Sequence, residues 1–248
     1  MGIVRKQLNA VLRAMFGLEI HQTPLNIYEI RKRLIGRLDI DLIIDGGANI
    51  GQWASLINKE FSGTEIWSFE PTKNAFAVLK EKSSIYVQNW KVFNLGLGDT
   101  RGEFVINIAS NSAESSSILP PSLNIDHLYP NLEFSETELI KVILLDDLLP
   151  ELSNRLIYLK LDVQGYESKV FAGAREVLKN TKVIEFESSF SPLYSGEKAH
   201  HPLVTELMAY GFIPWFVTPP HSDNFGRAYA VDTIMVNRNS LNEIGYDR

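Results

Sequence analysis

The sequence predicts an α/β fold, a mostly parallel central sheet covered by helices on both faces. Three observations carry that prediction. Short apolar runs alternate with helix-period runs from residue 42 onward, the pattern of successive βα units. The strongest turn signal, Asp45-Gly46-Gly47-Ala48-Asn49-Ile50-Gly51, stands between a strand pattern and a helix pattern, where open sheets carry their ligand turns. The 248 residues, 45% of them hydrophobic, suit one large domain of this class.

Ile3, Val4, Leu8, Val11, Leu12, Met15 and Phe16 share one helical face, with Arg5, Lys6 and Arg13 off it. Docking of this helix on the domain's own core is favoured over weak contact with a membrane surface through residues 3–16. Thr23-Pro24 is a helix start, and Ile27, Ile30, Leu34 and Leu38 continue a stripe ending near residues 36–39. Residues 1–40 therefore read as an N-terminal helical extension to a main domain over 41–248. Leu42-Ile43-Ile44 opens a first strand over 42–45, followed by a helix over 50–61. A strand over 65–69, a helix over 72–82 and a strand over 90–95 follow.

The rhythm then breaks. Asp99-Thr100-Arg101-Gly102 is turn chemistry and residues 103–108 alternate as a half-exposed strand, which reads as an inserted β-hairpin, and residues 138–144 are a further strand pairing back with 103–108. The polar stretch 110–117 and Pro120-Pro121 form a long loop or lid. Alternation resumes with a strand over 156–161, a helix carrying Val170, Phe171, Ala174, Val177 and Leu178, and a core strand over 183–187. A helix over 203–210 closes at Gly211. The last strands, 212–217 and 229–236, are joined by a loop too short for a helical crossover and should be antiparallel.

Composition narrows the function classes. Net charge is −6, which argues against a general nucleic-acid partner. The seven Lys/Arg and three Asp/Glu of residues 1–40 leave the remainder strongly acidic. No cysteine is present, which excludes disulfides, thiolate metal sites and cysteine nucleophiles. Mean hydropathy is −0.06, and no apolar run reaches the ~20 residues of a membrane span. The chain reads as cytoplasmic.

The glycine turn is the first candidate site. A strand, a glycine turn and a helix amino terminus accommodate an adenosine-type ligand. Glu70, 19 residues beyond Gly51 at a strand end, is placed to accept hydrogen bonds from two ribose hydroxyls; a solvated strand-end carboxylate is the alternative. Asp45 beside the turn would repel a pyrophosphate but suit an ammonium group, which favours S-adenosylmethionine over a dinucleotide. Lys160 and Asp162, two apart, leave one face of a buried strand near its carboxyl end. Either they serve chemistry there or they form a structural ion pair. Glu185 and Glu187 end the next strand similarly. Asp162, Glu185 and Glu187 could in principle ligate a divalent cation, but carboxylates this sparse do not favour one. His200-His201 reads as a surface pair in a loop before Pro202.

Together these residues resemble the FkbM-type family of S-adenosylmethionine-dependent methyltransferases. The resemblance runs from about Ile43 to Val236 and is carried by the glycine turn, Phe69-Glu70-Pro71, Asn94-Leu95-Gly96-Leu97-Gly98-Asp99, Ser116-Ser117-Ile118-Leu119 and Leu145-Asp146-Asp147. Leu159-Lys160-Leu161-Asp162-Val163-Gln164-Gly165-Tyr166-Glu167 is the most specific stretch; Gly173-Ala174, Glu185, Leu193-Tyr194-Ser195-Gly196 and Val231-Asp232 complete the series. The resemblance implies a Rossmann-like class I methyltransferase fold with an antiparallel last strand, and O-methylation of a hydroxyl on a sugar or natural product. Asp45, Gly46, Gly47, Asn49, Gly51, Glu70, Pro71 and Gly96 are then the expected cofactor-binding residues. Asp162 is the first candidate for the base, with Lys160 tuning it and Glu185 second. An NAD-linked oxidoreductase and a catalytically silent carbohydrate-binding relative remain the alternatives, and oligomeric state is not readable.

Overall fold

The computed structural model describes residues 26–85 and 89–245, together with residue 12. The expected helix over residues 3–16, apart from Leu12, and the Thr23-Pro24 start lie outside the described residues. The strands are β1 (Leu42–Gly46), β2 (Glu65–Phe69), β3 (Trp90–Phe93), β4 (Gly96–Leu97), β5 (Gly102–Ile108) and β6 (Glu136–Ile143). The second half adds β7 (Ile157–Leu161), β8 (Thr181–Ser189), β9 (Phe212–Val217), β10 (His221–Ser222) and β11 (Ala228–Asn237).

Eight strands form one sheet in the order β10-β11-β8-β7-β1-β2-β3, with β9 also paired to β11. Strands β3, β2, β1, β7 and β8 run parallel. The final strand β11 enters antiparallel between β8 and β9. The chain leaves β1 towards β2 and β3 on one side and returns to β7 on the other. That reversal opens a crevice at the carboxyl ends of β1 and β7.

The strands read as continuous apolar runs because both sheet faces are buried. Leu42 and Ile44 pack with Leu159, Leu161 and Phe186 on one face. On the other, Ile43 meets Tyr158, Val183 and Ile234, as the two-residue side-chain period requires. Helix α1 (Ile27–Arg37) starts at Asn26, whose side chain accepts from Glu29 N at 2.9 Å. Its Ile30, Leu34 and Ile35 join the second core, as do residues of α2 (Gln52–Glu60) and α3 (Lys73–Ile85).

A three-stranded sheet, β4-β6-β5, stands beside the main one. The expected pairing of the two inserted strands is β5 with β6, antiparallel with Ile106 opposite Glu138, whereas no hairpin forms across the 99–102 turn. The third strand is shorter than 90–95: it ends at Phe93, and Asn94 Nδ2 instead donates to the carbonyls of Glu70 (3.0 Å) and Pro71 (2.9 Å). The turn at 99–102 does not join paired neighbours, because Gly98 N–H already donates to Ile143 O at 3.0 Å and seats the chain on β6. Helix α4 (Leu123–Leu128), begun by Ser122, lies within the expected loop. Helices α5 (Glu167–Ala172), α6 (Val177–Asn180) and α7 (His200–Ala209) cover the first core.

Candidate active site

A cavity of about 480 Å³ opens at the carboxyl ends of β1, β2 and β7, within the size range of small-molecule sites. It is built first by the glycine turn. A Cβ on Gly47 would stand 1.8 Å from the Asp162 carbonyl oxygen, and φ there is +74°, so only glycine lets the turn after β1 close on the turn after β7. Phe69 O accepts from Gly47 N (3.0 Å) and Ala48 N (3.1 Å). The Glu70 carboxylate then accepts from Asn49 N (2.9 Å) through Oε2 and from Thr72 N (2.8 Å) and Thr72 Oγ1 (2.6 Å) through Oε1. Burial pushes Glu70 above its ordinary carboxylate value, against those hydrogen bonds.

Of the expected cofactor-binding residues, Gly47, Asn49, Glu70, Pro71 and Gly96 line the cavity, while Asp45, Gly46 and Gly51 do not. Asp45 is fully buried beneath it, 3.2 Å from Lys160 Nζ and accepting from Ser68 Oγ at 3.1 Å. Its charge is already met by an ammonium, so it cannot supply the repulsion of pyrophosphate read from the sequence. Gly46 is packed against the Leu161 side chain, 2.8 Å from its would-be Cβ. Gly51 takes the left-handed conformation, φ +77°, that starts α2, and its would-be Cβ meets Leu79 and Trp90.

Register explains the charged residues. Ser68, Asp45, Lys160 and Glu185 are successive partners across β2, β1, β7 and β8. They therefore form one row on the face covered by α1 and α2. Burial opposes the Lys160 charge, but Asp45, Asp162 and Glu185 outweigh it and hold the ammonium above its ordinary value. Glu185, 3% exposed, does not reach the cavity. Arg31 of α1 donates to it from Nε at 2.8 Å and through NH2, and Tyr158 OH donates at 2.5 Å. The candidate second base is thus one half of a buried ion pair.

Lys160 and Asp162 do line the cavity, 3.7 Å apart, with the Asp162 side chain 40% exposed. Residues to which the sequence gave no catalytic or cofactor-binding role surround them. Gln164 Nε2 donates to Asp162 Oδ1 (2.6 Å) and Glu187 Oε2 (3.3 Å). Burial first, then Asp162 and Asp232, push Glu187 up to about 8. Glu167, pushed up to about 8 chiefly by burial, accepts from Val163 N (3.2 Å) and Gly165 N (3.4 Å) and holds that turn. Tyr194 OH reaches Ser115 O (2.7 Å), tying the loop over 110–117 across the cavity. The Gln164 and Tyr194 positions carried a signal, since both fall inside the motifs of the resemblance; Trp53 of α2, which also lines the cavity, carried only a helix-face apolar signal.

His200 corrects the surface reading. It begins α7, its Nδ1 lies 2.8 Å from Ser188 Oγ, and Phe190 packs edge-on against its ring. Among the described residues, no group of three or more His, Cys, Asp or Glu side chains is arranged to hold a metal ion. Also among them, no helix is long and apolar enough to cross a membrane.

Residues 45–214 match the Methyltransferase FkbM domain. The chain belongs to the FkbM methyltransferase family. The 2-O-methyltransferase NoeI of Sinorhizobium fredii is 24% identical to this methyltransferase over 202 residues, covering 78% of this chain and 82% of NoeI. Magnesium protoporphyrin IX methyltransferase (ChlM) from Synechocystis PCC 6803, with bound SAM, aligns at 11% identity and a TM-score of 0.45, covering 95% of this chain and 96% of ChlM. The human methyltransferase 10 domain containing protein aligns at 16% identity and a TM-score of 0.44, covering 96% of each chain. The Rossmann-like class of this methyltransferase rests on its strand order and its antiparallel β11.

Proposed function

We propose that this methyltransferase moves a methyl group from S-adenosylmethionine to a hydroxyl oxygen of a sugar or natural product. The observation that carries the reading is the charge of the cavity. Its lining carries Glu70, Glu114, Asp162 and Glu197 beside Glu167 and Glu187, which at about 8 are mostly protonated at neutral pH, and among the described residues its one cationic side chain is Lys160, which Asp45 and Asp162 already face. Such a lining favours a cationic ligand and opposes a pyrophosphate. The lining also fits this cofactor in its polar detail. Asn49 Oδ1 and Trp53 Nε1 are buried with no protein partner, an acceptor and a donor left for a ligand.

Bound there, S-adenosylmethionine supplies a methyl carbon carried on a cationic sulfur. Glu70, held by Asn49 and Thr72, would take the ribose hydroxyls, Pro71 and the Gly96 segment would flank the adenine, and Gly47 would let the backbone approach the methionine end. Lys160 and Asp162 steer the acceptor hydroxyl, and the loop tied down by Tyr194 keeps water out. Positioning of this kind contributes on the order of several kcal/mol. The name of NoeI, a 2-O-methyltransferase sharing most of this chain's length, supports oxygen as the accepting atom.

Calorimetry with S-adenosylmethionine tests the reading. Wild type should bind, and Glu70→Ala should bind roughly 10- to 100-fold more weakly, the loss expected for hydrogen bonds to a charged group. Binding of NAD with none of S-adenosylmethionine would move the chain to the oxidoreductase class. Transfer of labelled methyl to a glycan panel separates an enzyme from a silent carbohydrate-binding relative.

A further inference from the structure

The cavity extends well beyond the Glu70 end. Glu70 follows β2 and Glu187 lies in β8, three strands away in the order β2-β1-β7-β8. That is about 14 Å at the usual strand spacing. Resting on the methyltransferase reading above, we propose that the Glu187 end is the acceptor subsite, that it takes an uncharged ring bearing neighbouring hydroxyls, and that Glu187 receives the hydroxyl proton.

Three features converge on this end. Asp162 Oδ1 and Glu187 Oε2 share one donor, Gln164 Nε2, at 2.6 and 3.3 Å, so two carboxylates stand close enough to accept from adjacent hydroxyls of one ring. Gln164 is itself held. Its φ is +52°, its carbonyl accepts from Ser117 Oγ at 2.7 Å, and its Oε1 accepts from Tyr194 OH at 3.1 Å. Aromatic rings flank the pair: Tyr129 and Tyr229 both line the cavity, edge to face at 6.1 Å with their hydroxyls 3.2 Å apart. An apolar ring face beside fixed hydrogen-bond acceptors is what a pyranose meets when it is bound. An anionic sugar would instead face the Asp162 carboxylate and, above about pH 8, the ionised Glu187 as well.

The same contacts decide where the proton goes. The sequence ranks Asp162 first as base, yet Asp162 is engaged on both oxygens, by Lys160 at 3.7 Å and by Gln164 at 2.6 Å. Among the described residues, Glu187 has Gln164 as its hydrogen-bond partner, through Oε2, which leaves Oε1 for the hydroxyl. The oxygen forms its new bond to carbon with a lone pair. The donor sulfur keeps the pair of the bond it loses. The O–H pair falls back on oxygen as the proton passes to Glu187. Burial and the neighbouring Asp162 and Asp232, only partly offset by Gln164 and Lys160, make Glu187 a stronger base than an ordinary carboxylate, with a value of about 8.

The test uses the full chain loaded with S-adenosylhomocysteine and saturation-transfer NMR with neutral methyl pyranosides, glucuronate and glucose 6-phosphate. At pH 9, where Glu187 is ionised, at least one neutral pyranoside should bind at least tenfold more tightly than either anion, and Glu187→Gln should narrow that gap. Equal or tighter binding of the anions overturns the proposal, as does binding of none of the neutral set. Carbon-13 titration of the Glu187 carboxyl should give a value near 8 that falls in Asp162→Asn; an ordinary carboxylate value overturns its role as proton acceptor. Calorimetry keeps the two readings apart. Wild type that fails to bind S-adenosylmethionine sinks the methyltransferase chemistry, whereas wild type that binds it but prefers anions sinks only the acceptor proposal.

Discussion

Replacing Arg31 by Met strips the counter-charge from Glu185 and removes the guanidinium that lies 5.5 Å over the Trp53 ring, while keeping an unbranched apolar stem. Glu185 is 3% exposed, and the Arg31 side chain 11%. Removing one partner of a buried ion pair is destabilising by roughly 3–5 kcal/mol, because the remaining charge stays out of water. Here Tyr158 still donates to Glu185 and Lys160 is its cross-strand neighbour, so the low end, about 3 kcal/mol, is expected. For a domain of this size that is about 6–12 °C in Tm. Urea denaturation followed by circular dichroism measures it. Glu185→Gln in the Arg31→Met background removes the buried charge yet leaves an acceptor for Tyr158, and should restore more than half of the loss. A single variant within about 0.5 kcal/mol of wild type, or a double variant with no recovery, would refute the buried-row reasoning.

Three further outcomes follow from the same geometry. Gly47→Ala should lower stability by about 3 kcal/mol or more, since its Cβ would lie 1.8 Å from Asp162 O at a φ of +74°; a denaturation midpoint matching wild type would show that the turn can shift. Trp53→Phe deletes an indole N–H that has no protein partner. Stability without ligand should change by less than about 1 kcal/mol, while calorimetric affinity for S-adenosylmethionine falls about tenfold. Glu167 and Glu187 are each pushed from 4.5 up to about 8, so the stability they contribute is complete below the unfolded value and is lost as pH rises through about 8. Thermal melts of the ligand-free protein should fall over that window, and Glu187→Gln should flatten the slope.

Much of the frame was legible because it depends on neighbours in sequence. Strands buried on both faces read as nearly continuous apolar runs, so Leu42-Ile43-Ile44 and Ile157-Tyr158-Leu159 announce themselves and leave Lys160 as the charge to explain. The glycine turn and Glu70 were readable for a similar reason: a turn after one strand and an acid after the next end up side by side in a parallel sheet. The pairing of residues 138–144 with 103–108 was also visible from alternation. That β6 would separate β4 from β5 was not, since strand order depends on hydrogen bonds such as Gly98 N to Ile143 O that leave no mark on local pattern.

The candidate base set shows the limit most clearly. Lys160, Asp162, Glu185 and Glu187 look alike in sequence, charges at the ends of buried strands. Their sorting depends on Arg31, which lies 154 residues from Glu185 and reads locally as one more charge in a basic helix. Asp45 was misjudged for the same reason, its counter-ion lying on a strand more than a hundred residues away. By itself, the sequence determined the alternating sheet, the glycine turn and the family, because hydrophobic period and backbone conformation are short-range properties. Only the tertiary structure decided which carboxylates meet the cavity and which are neutralised beneath it. Electrostatic compensation acts through space, and neighbours in space are set when the strands close into a sheet.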